Sequence, residues 1–303
     1  SGSEANTFAM RLANVHEHRD ACIVAVEGSF HGRTEAPARA SASTHHTYQR
    51  WLSDWQASPR VQWIPPNDVA AVHRVFDDAQ CNGTFVECAM IEPVMGEGEP
   101  GLACTPEFYS ALQKRVTEQG GLMVVDSVQA GLRCNGVLSV CDYPGFENIR
   151  APDIETFAKA INAGQFPSSV VAVTERARER YRNGLYGNTM TANPRALDVM
   201  TATLREITTD VTTNIVHRGT ELRHTLAEVC DKRKVLSVRG TGLLVALELD
   251  STLLEATSVE RALRERGLNV IRGGRNAIRL TPWFHMSSQE VQLVATVVAE
   301  VLG

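Results

Sequence analysis

Leu122-Met123-Val124-Val125-Asp126 and Ile154-Glu155-Thr156-Phe157-Ala158-Lys159 are the two stretches on which the reading of the fold turns. Each is a short, mostly apolar run, too brief for a helix, of the kind that forms a strand buried on both faces. Each also ends in one charged group, a carboxylate at Asp126 and an amine at Lys159. Ligands of open parallel sheets collect beyond the carboxyl ends of the strands. The two charges are therefore expected in one crevice.

Similar runs recur at Ile23-Val24-Ala25-Val26, Met90-Ile91 and Val170-Val171-Ala172-Val173. Between them apolar residues repeat at helical spacing, as Ala5, Phe8, Ala9, Leu12 and Ala13 and as Phe108, Leu112 and Val116. This alternation predicts an α/β domain with a mainly parallel sheet over residues 1–207. After Pro194 a helix carries Leu197, Met200 and Leu204 into a polar segment, Thr208 to Asn214, where a boundary is placed. Residues 208–303 read as a smaller C-terminal α+β domain. It comprises a helix over Leu222 to Val229, an alternating strand over Val238 to Leu249 with Gly240 and Gly242, a helix over Val259 to Arg266, a strand pair turning at Gly273-Gly274, and a closing helix from Ser288 to Leu302.

Composition narrows the function. Of 303 residues 43% are hydrophobic and 21% charged, which suits a globular chain with a sizeable core. The formal charge of -5 argues against nucleic acid as a partner, since phosphate binding needs clustered basic groups. Seven cysteines without a C-x-x-C pair read as reduced thiols, not as a zinc site or disulfide framework. No apolar run spans a bilayer. A cytoplasmic protein is expected, with an organellar transit peptide left open because the chain starts at Ser1 without a Met.

A lysine and an aspartate at strand ends are what a pyridoxal 5′-phosphate enzyme uses. The amine joins the cofactor aldehyde, and the acid holds the pyridinium proton. To act as a base at neutral pH the amine needs desolvation, because an ordinary lysine has a pKa of about 10.4. Ser1-Gly2-Ser3-Glu4 fits a capping box, and the amides of Gly2 and Ser3 at the positive end of that helix make a phosphate seat. Alone, the pattern is an ordinary helix cap. Gln129, three residues beyond Asp126, could contact a phenolic oxygen of the same ligand. Phe30 and His31 follow the strand at Ile23, where Phe30 either stacks on a pyridine ring or packs in the core. Arg279, flanked by Ile278 and Leu280, suits a bidentate grip on a carboxylate, with Glu97 occupying it between turnovers; a structural ion pair is the other reading. His16-Glu17-His18, His45-His46, Gly96-Glu97-Gly98 and Gly240-Thr241-Gly242 lack ligand or dinucleotide spacing. No metal is expected. Trp51, Trp55 and Trp63 read as packing residues.

Together these segments resemble the class III pyridoxal-phosphate aminotransferases of fold type I, the group of ornithine, acetylornithine, 4-aminobutyrate and lysine aminotransferases. The likeness runs from Ser1 to Gly303. Ser-Gly-Ser-Glu-Ala-Asn (1 to 6) resembles the phosphate loop, Phe30-His31-Gly32 the ring-stacking turn, and Ile91-Glu92-Pro93-Val94-Met95-Gly96-Glu97-Gly98 the active-site glutamate loop. Asp126-Ser127-Val128-Gln129 resembles the cofactor anchor, Thr156-Phe157-Ala158-Lys159 the cofactor-linked lysine segment, and Ile278-Arg279-Leu280-Thr281-Pro282 the carboxylate-binding strand. Gly187-Asn188-Thr189 resembles the loop whose threonine binds the cofactor phosphate of a partner subunit.

The resemblance implies catalysis by Lys159 and Asp126 and a cofactor held by Gly2, Ser3, Phe30, His31, Gln129 and Thr189. It implies substrate contacts from Arg279, Glu97 and Glu92, and a homodimer with shared active sites. An amino acid carrying a carboxylate would give its amino group to an oxo acid, with 2-oxoglutarate the expected acceptor. An aminomutase, a decarboxylase or a noncatalytic cofactor-binding protein on the same scaffold are the alternatives. Two departures stand out. Ser127 occupies a position where the family usually has glutamate, and family members carry a further N-terminal segment ahead of the phosphate loop.

Overall fold

The computed structural model describes residues 1–53, 55 and 60–303. It divides into two compact units. The first holds Ser1–Pro93, Cys104–Gly131 and Leu138–Leu204, and the second Val94–Ala103, Leu132–Val137 and Arg205–Gly303. The chain thus changes unit at Leu204/Arg205, three residues ahead of the expected boundary. Two short segments from the first 207 residues also join the second unit. The reason lies in their hydrogen bonds: Gly274 N donates to Glu97 O, Arg239 Nε donates to Pro100 O, and Leu243 N donates to Arg133 O.

In the first unit the order is α1 (Gly2–Ala13), β1 (Ala21–Val26), α2 (Glu35–Arg39), α3 (His45–Trp51), β2 (Arg60–Ile64), α4 (Val69–Cys81), β3 (Phe85–Ile91), α5 (Pro106–Glu118), β4 (Leu122–Asp126), β5 (Ile154–Phe157), β6 (Val170–Val173), α6 (Glu175–Arg178) and α7 (Pro194–Glu206), whose last two residues fall past the unit boundary. The strands form one sheet ordered β2-β1-β3-β4-β5-β6. Every pairing is parallel except β5 with β6. The mainly parallel sheet expected from the apolar runs is present. Strands β3, β4 and β5 are buried throughout, because helices cover both faces of a parallel sheet. β6 departs from that expectation: its Val170 and Val173 are 42% and 40% exposed. It lies at the sheet edge with a single neighbour, so an apolar run there is not enclosed.

Helix α1 packs a stripe of small residues, Ala5, Ala9 and Ala13, with Leu12, onto the sheet. Its first turn comes so close to the segment after β4 that a Cβ on Gly2 would stand 2.8 Å from Val128 Cγ1. Of the tryptophans, Trp55 is buried, whereas Trp51 is 71% exposed and does not pack as expected.

The second unit contains α8 (Thr209–Val229), β7 (Val235–Thr241), β8 (Leu244–Leu249), α9 (Ala256–Glu265), β9 (Ile271–Gly273), β10 (Ala277–Leu280) and α10 (Ser288–Leu302), with an antiparallel sheet ordered β7-β8-β10-β9. Its core joins Leu222 and Leu226 of α8 to Val245, Leu247 and Ile278 of the sheet and Val291 and Val298 of α10. Two expectations are corrected here. The polar segment Thr208 to Asn214 is the beginning of α8: Thr208 Oγ1 accepts from Val211 N, Val211 and Ile215 turn into the core, Thr212 Oγ1 donates to Gly136 O, and Thr209 and Thr213 face outward. The alternating stretch Val238 to Leu249 is two strands, not one. The chain reverses at Gly242, whose φ of 53° is one that glycine adopts without steric cost.

Candidate active site

The carboxyl ends of β4 and β5, the turn after β1 and the start of α1 enclose a crevice of about 290 Å³ in the first unit, at the small end of ligand pockets. Gly2, Ser3, Phe30 and His31 line it together with Asp126, Gln129 and Lys159. Residues far apart in the chain are gathered because a parallel sheet delivers every strand end to the same edge.

Asp126 is the centre of a buried polar network. Its Oδ2 accepts from Asn6 Nδ2 at 2.7 Å and from His31 Nδ1 at 2.9 Å, and its Oδ1 accepts from Val128 N at 3.0 Å. A carboxylate offers about four acceptor positions, so one on Oδ1 remains for a further donor. The hydrogen bond to Asp126 assigns the proton of a neutral His31 to Nδ1. His31 Nε2 is buried and has no partner among the described residues. A buried polar atom of this kind in a ligand crevice fits a site built for a polar group.

Asn6 and Thr156 complete the network without having been singled out from sequence. Asn6 Nδ2 also donates to His31 O at 2.7 Å, and Asn6 Oδ1 accepts from Thr156 Oγ1 at 2.7 Å. The signal that marks Asn6 is its place on the buried face of α1, in line with Gly2, Ala9 and Ala13. A fully buried amide on an apolar stripe must have partners.

The start of α1 forms the capping box: Ser1 Oγ accepts from Glu4 N, and the Glu4 carboxylate accepts from the Ser1 nitrogen. The amides of Gly2 and Ser3 have no acceptor one turn back, as at any helix start. Ser3 Oγ accepts from Arg33 N at 3.1 Å, tying the turn after β1 to this helix. Gly32, with φ of 131°, permits the approach, since a Cβ there would lie 2.6 Å from Ser3 Oγ. On the same turn Phe30 N donates to Glu92 Oε1 at 2.9 Å, so the buried Glu92 holds the segment that carries the ring. The Arg33 guanidinium lies 5.5 Å from the centre of the Phe30 ring.

Lys159 follows β5 at φ of 48°, a left-handed conformation that costs a non-glycine residue roughly 1–2 kcal/mol. Strain of this order concentrates at functional sites. Its side chain is exposed, and the burial expected for a basic amine is not supplied by this unit. The geometric reason is that Lys159 sits at the rim, past the last buried strand residue.

Thr189 is exposed, in a turn where Met190 N donates to Asn188 Oδ1. Asn188 Nδ2 and Tyr186 Oη both donate to Glu4 Oε1, which fastens the turn to α1. Thr189 does not line the crevice.

In the second unit Arg279, 6% exposed on β10, donates to Gly96 O and lies 3.4 Å from Glu97 Oε1. Arg133, which sequence reading passed over, donates to the carbonyls of Pro282 and Leu243 and stands over the Phe284 ring. Burial pulls the Arg133 pKa down to about 10, and the charge of Arg279 acts in the same direction.

The fold is shared with pyridoxal-phosphate aminotransferases of fold type I. An ornithine aminotransferase from Toxoplasma gondii superposes with a TM-score of 0.86 over 99% of this chain and 70% of that one, at 22% identity. A Bacillus anthracis aminotransferase gives a TM-score of 0.85 at 24% identity, over 99% of this chain and 74% of that one. Among curated proteins, an acetylornithine aminotransferase of Lactococcus lactis is 30% identical over the whole chain and 76% of its own length. An acetylornithine/succinyldiaminopimelate aminotransferase of Yersinia pestis is 32% identical over 96% of the chain and 70% of its own length. The family model for class-III aminotransferases matches residues 1–302, and the chain belongs to that family of enzymes.

Proposed function

We propose that the crevice of the first unit holds pyridoxal 5′-phosphate. The enzyme then moves the amino group of an amino acid with a second, remote carboxylate, of the ornithine, acetylornithine, 4-aminobutyrate or lysine type, to 2-oxoglutarate. One observation carries this reading: Asp126 keeps a single acceptor position open in the same crevice as Lys159 and the free amides of α1. Those are the needs of a cofactor with a ring N–H, an aldehyde and a phosphate.

When bound, the cofactor supplies the aldehyde that takes up the amino group and a ring that accepts electron density from the broken C–H bond. Asp126 keeps the ring nitrogen protonated, and Asn6 and His31 hold that carboxylate in place. Gly2 and Ser3 seat the phosphate with their amides and the helix dipole. Phe30 and Gln129, which line the crevice, would contact the ring and its phenolic oxygen. The Lys159 amine would take and return the proton at the substrate carbon. Arg279 takes a substrate carboxylate once Glu97 is displaced, and the nearby charge of Arg133 favours an anion there. Glu92 acts by holding the Phe30 turn.

Thr189, on an exposed turn, serves the phosphate of a second copy, which makes the enzyme a homodimer. The first unit's exposed apolar residues, Val170, Met190, Leu197 and Leu204, are in keeping with such burial. No disulfide joins cysteines among the described residues, which suits a reducing, cytoplasmic setting.

The test adds pyridoxal 5′-phosphate to the chain and follows visible absorbance, then adds donor without oxo acid. Conversion to the amine form that halts until 2-oxoglutarate is supplied is expected. Lys159→Ala retaining full turnover would refute the reading.

A further inference from the structure

Another buried carboxylate lies on the opposite face of β5 from Thr156. Glu155 is 5% exposed and accepts three hydrogen bonds, from Ser127 Oγ at 2.5 Å, Ser139 Oγ at 2.7 Å and Val140 N at 3.0 Å. Ser127 directly follows Asp126, and its own N–H donates to Thr156 O at 3.0 Å. Glu155 lies four residues before Lys159 on the neighbouring strand, where Val125 pairs with Glu155 and Asp126 with Thr156. The contacts therefore join the end of the strand bearing Asp126 to the strand that leads into Lys159.

We propose that Glu155 is a positioning residue for the amino transfer. Through Ser127 it fixes the Asp126 carboxylate relative to Lys159, taking from β5 the place that a carboxylate at position 127 would fill from β4. Three features support this. Glu155 bridges Ser127 on one side to Ser139 and Val140 on the other. An O–H···O contact of 2.5 Å is at the short, strong end for a carboxylate acceptor. All of Glu155's ties are to groups with no other charge, so burial pushes its pKa up more than the three donors lower it. Evolution of a plain strand core would place an apolar side chain there, since an ionisable group is costly to bury without a role.

Asp126 is held on one face of the sheet by Asn6 and His31, and the peptide that follows it is held on the other face by Glu155. Loss of the second hold lets the 126–128 segment shift, and with it the acceptor position on Oδ1. Displacements well below 1 Å matter, because catalytic constellations need placement within about 0.5 Å.

The inference rests on the cofactor reading above. Its test uses the cofactor-loaded protein and compares Ser127→Ala, which cuts the tie to the Asp126 strand, with Ser139→Ala, which removes the Ser139 tie to Glu155 and the cap on Cys141 N but leaves the Val140 N tie in place. Ser127→Thr, which keeps the hydroxyl, is the rescue variant. Readouts are kcat with the best amino donor, the pH midpoint of the visible cofactor absorbance, and melting temperature. Ser127→Ala is expected to lower kcat about tenfold and shift the absorbance midpoint by roughly half a pH unit, where a tenfold change corresponds to about 1.4 kcal/mol. Ser139→Ala should melt lower by a similar amount yet keep kcat within twofold and an unmoved midpoint, and Ser127→Thr should stay near the parent. Equal losses in both alanine variants, or an unchanged midpoint in Ser127→Ala, overturn the proposal. If the parent protein itself gains no cofactor absorbance, the cofactor reading fails and takes this inference with it, an outcome seen before any variant is made.

Discussion

Asn6 Nδ2 lies 2.7 Å from Asp126 Oδ2, and the same amide reaches the carbonyl of His31 and the hydroxyl of Thr156. A single side chain on α1 thereby couples β4, β5 and the turn after β1. Hydrogen bonds to charged groups contribute ~1.5–3 kcal/mol each, and a buried group left without its partner costs ~1–3 kcal/mol.

Asn6→Ala should therefore lower the unfolding free energy of the chain by on the order of 2–4 kcal/mol, read from urea denaturation. Asn6→Asp should weaken cofactor binding further, because two carboxylates at that distance cannot both stay ionised. Cofactor titration of the folded variant decides this, and affinity equal to the parent would contradict it.

The buried Glu155 carboxyl gives stability a definite dependence on pH. Burial raises its folded pKa above the usual 4.5, so the native state binds the proton more tightly than the unfolded chain. Its stabilising contribution is complete below about pH 4.5 and is lost as pH rises through the folded value. Relative to Glu155→Gln, the parent should lose stability across that window. Parallel curves for the two proteins from pH 4 to 8, on the order of four units, would disprove it.

Arg279→Ala should raise KM for a donor with a remote carboxylate by about tenfold to a hundredfold with a smaller change in kcat, because a charged hydrogen bond worth ~1.5–3 kcal/mol is removed. A simple amine donor without that carboxylate is the internal control. Steady-state kinetics with both donors should show the change only in the first.

Gly219 on α8 faces the Gly242 turn at a distance no side chain tolerates: a Cβ would lie 2.1 Å from Gly242 O. Gly219→Ala should destabilise the chain by ~1–3 kcal/mol from overpacking, despite the better helix propensity of alanine. A rise in melting temperature would show that the turn has room to move.

Much of the first unit is legible in the linear chain because its strands are continuous apolar runs and its helices have clear stripes. Leu122 to Asp126 and Ile154 to Phe157 declare themselves by composition, and the charged groups at their ends follow from strand direction. In the second unit the hairpin over Val235 to Leu249 was hidden, since alternation is the same for one strand as for two, and only the φ of Gly242 divides them. The start of α8 was hidden too, because its polar first turns bury just Val211 and Ile215.

The order of chemical groups along the chain, and the fact that they end strands of a parallel sheet, was set by the sequence alone, through local periodicity and burial tendency. Which groups meet was decided by tertiary structure. Asn6 holding Asp126, Glu92 holding Phe30 and Glu155 holding Ser127 are contacts between residues 28 to 120 positions apart. No local propensity encodes such pairings. They arise when the packed sheet leaves a buried polar group only one place to find its hydrogen bond.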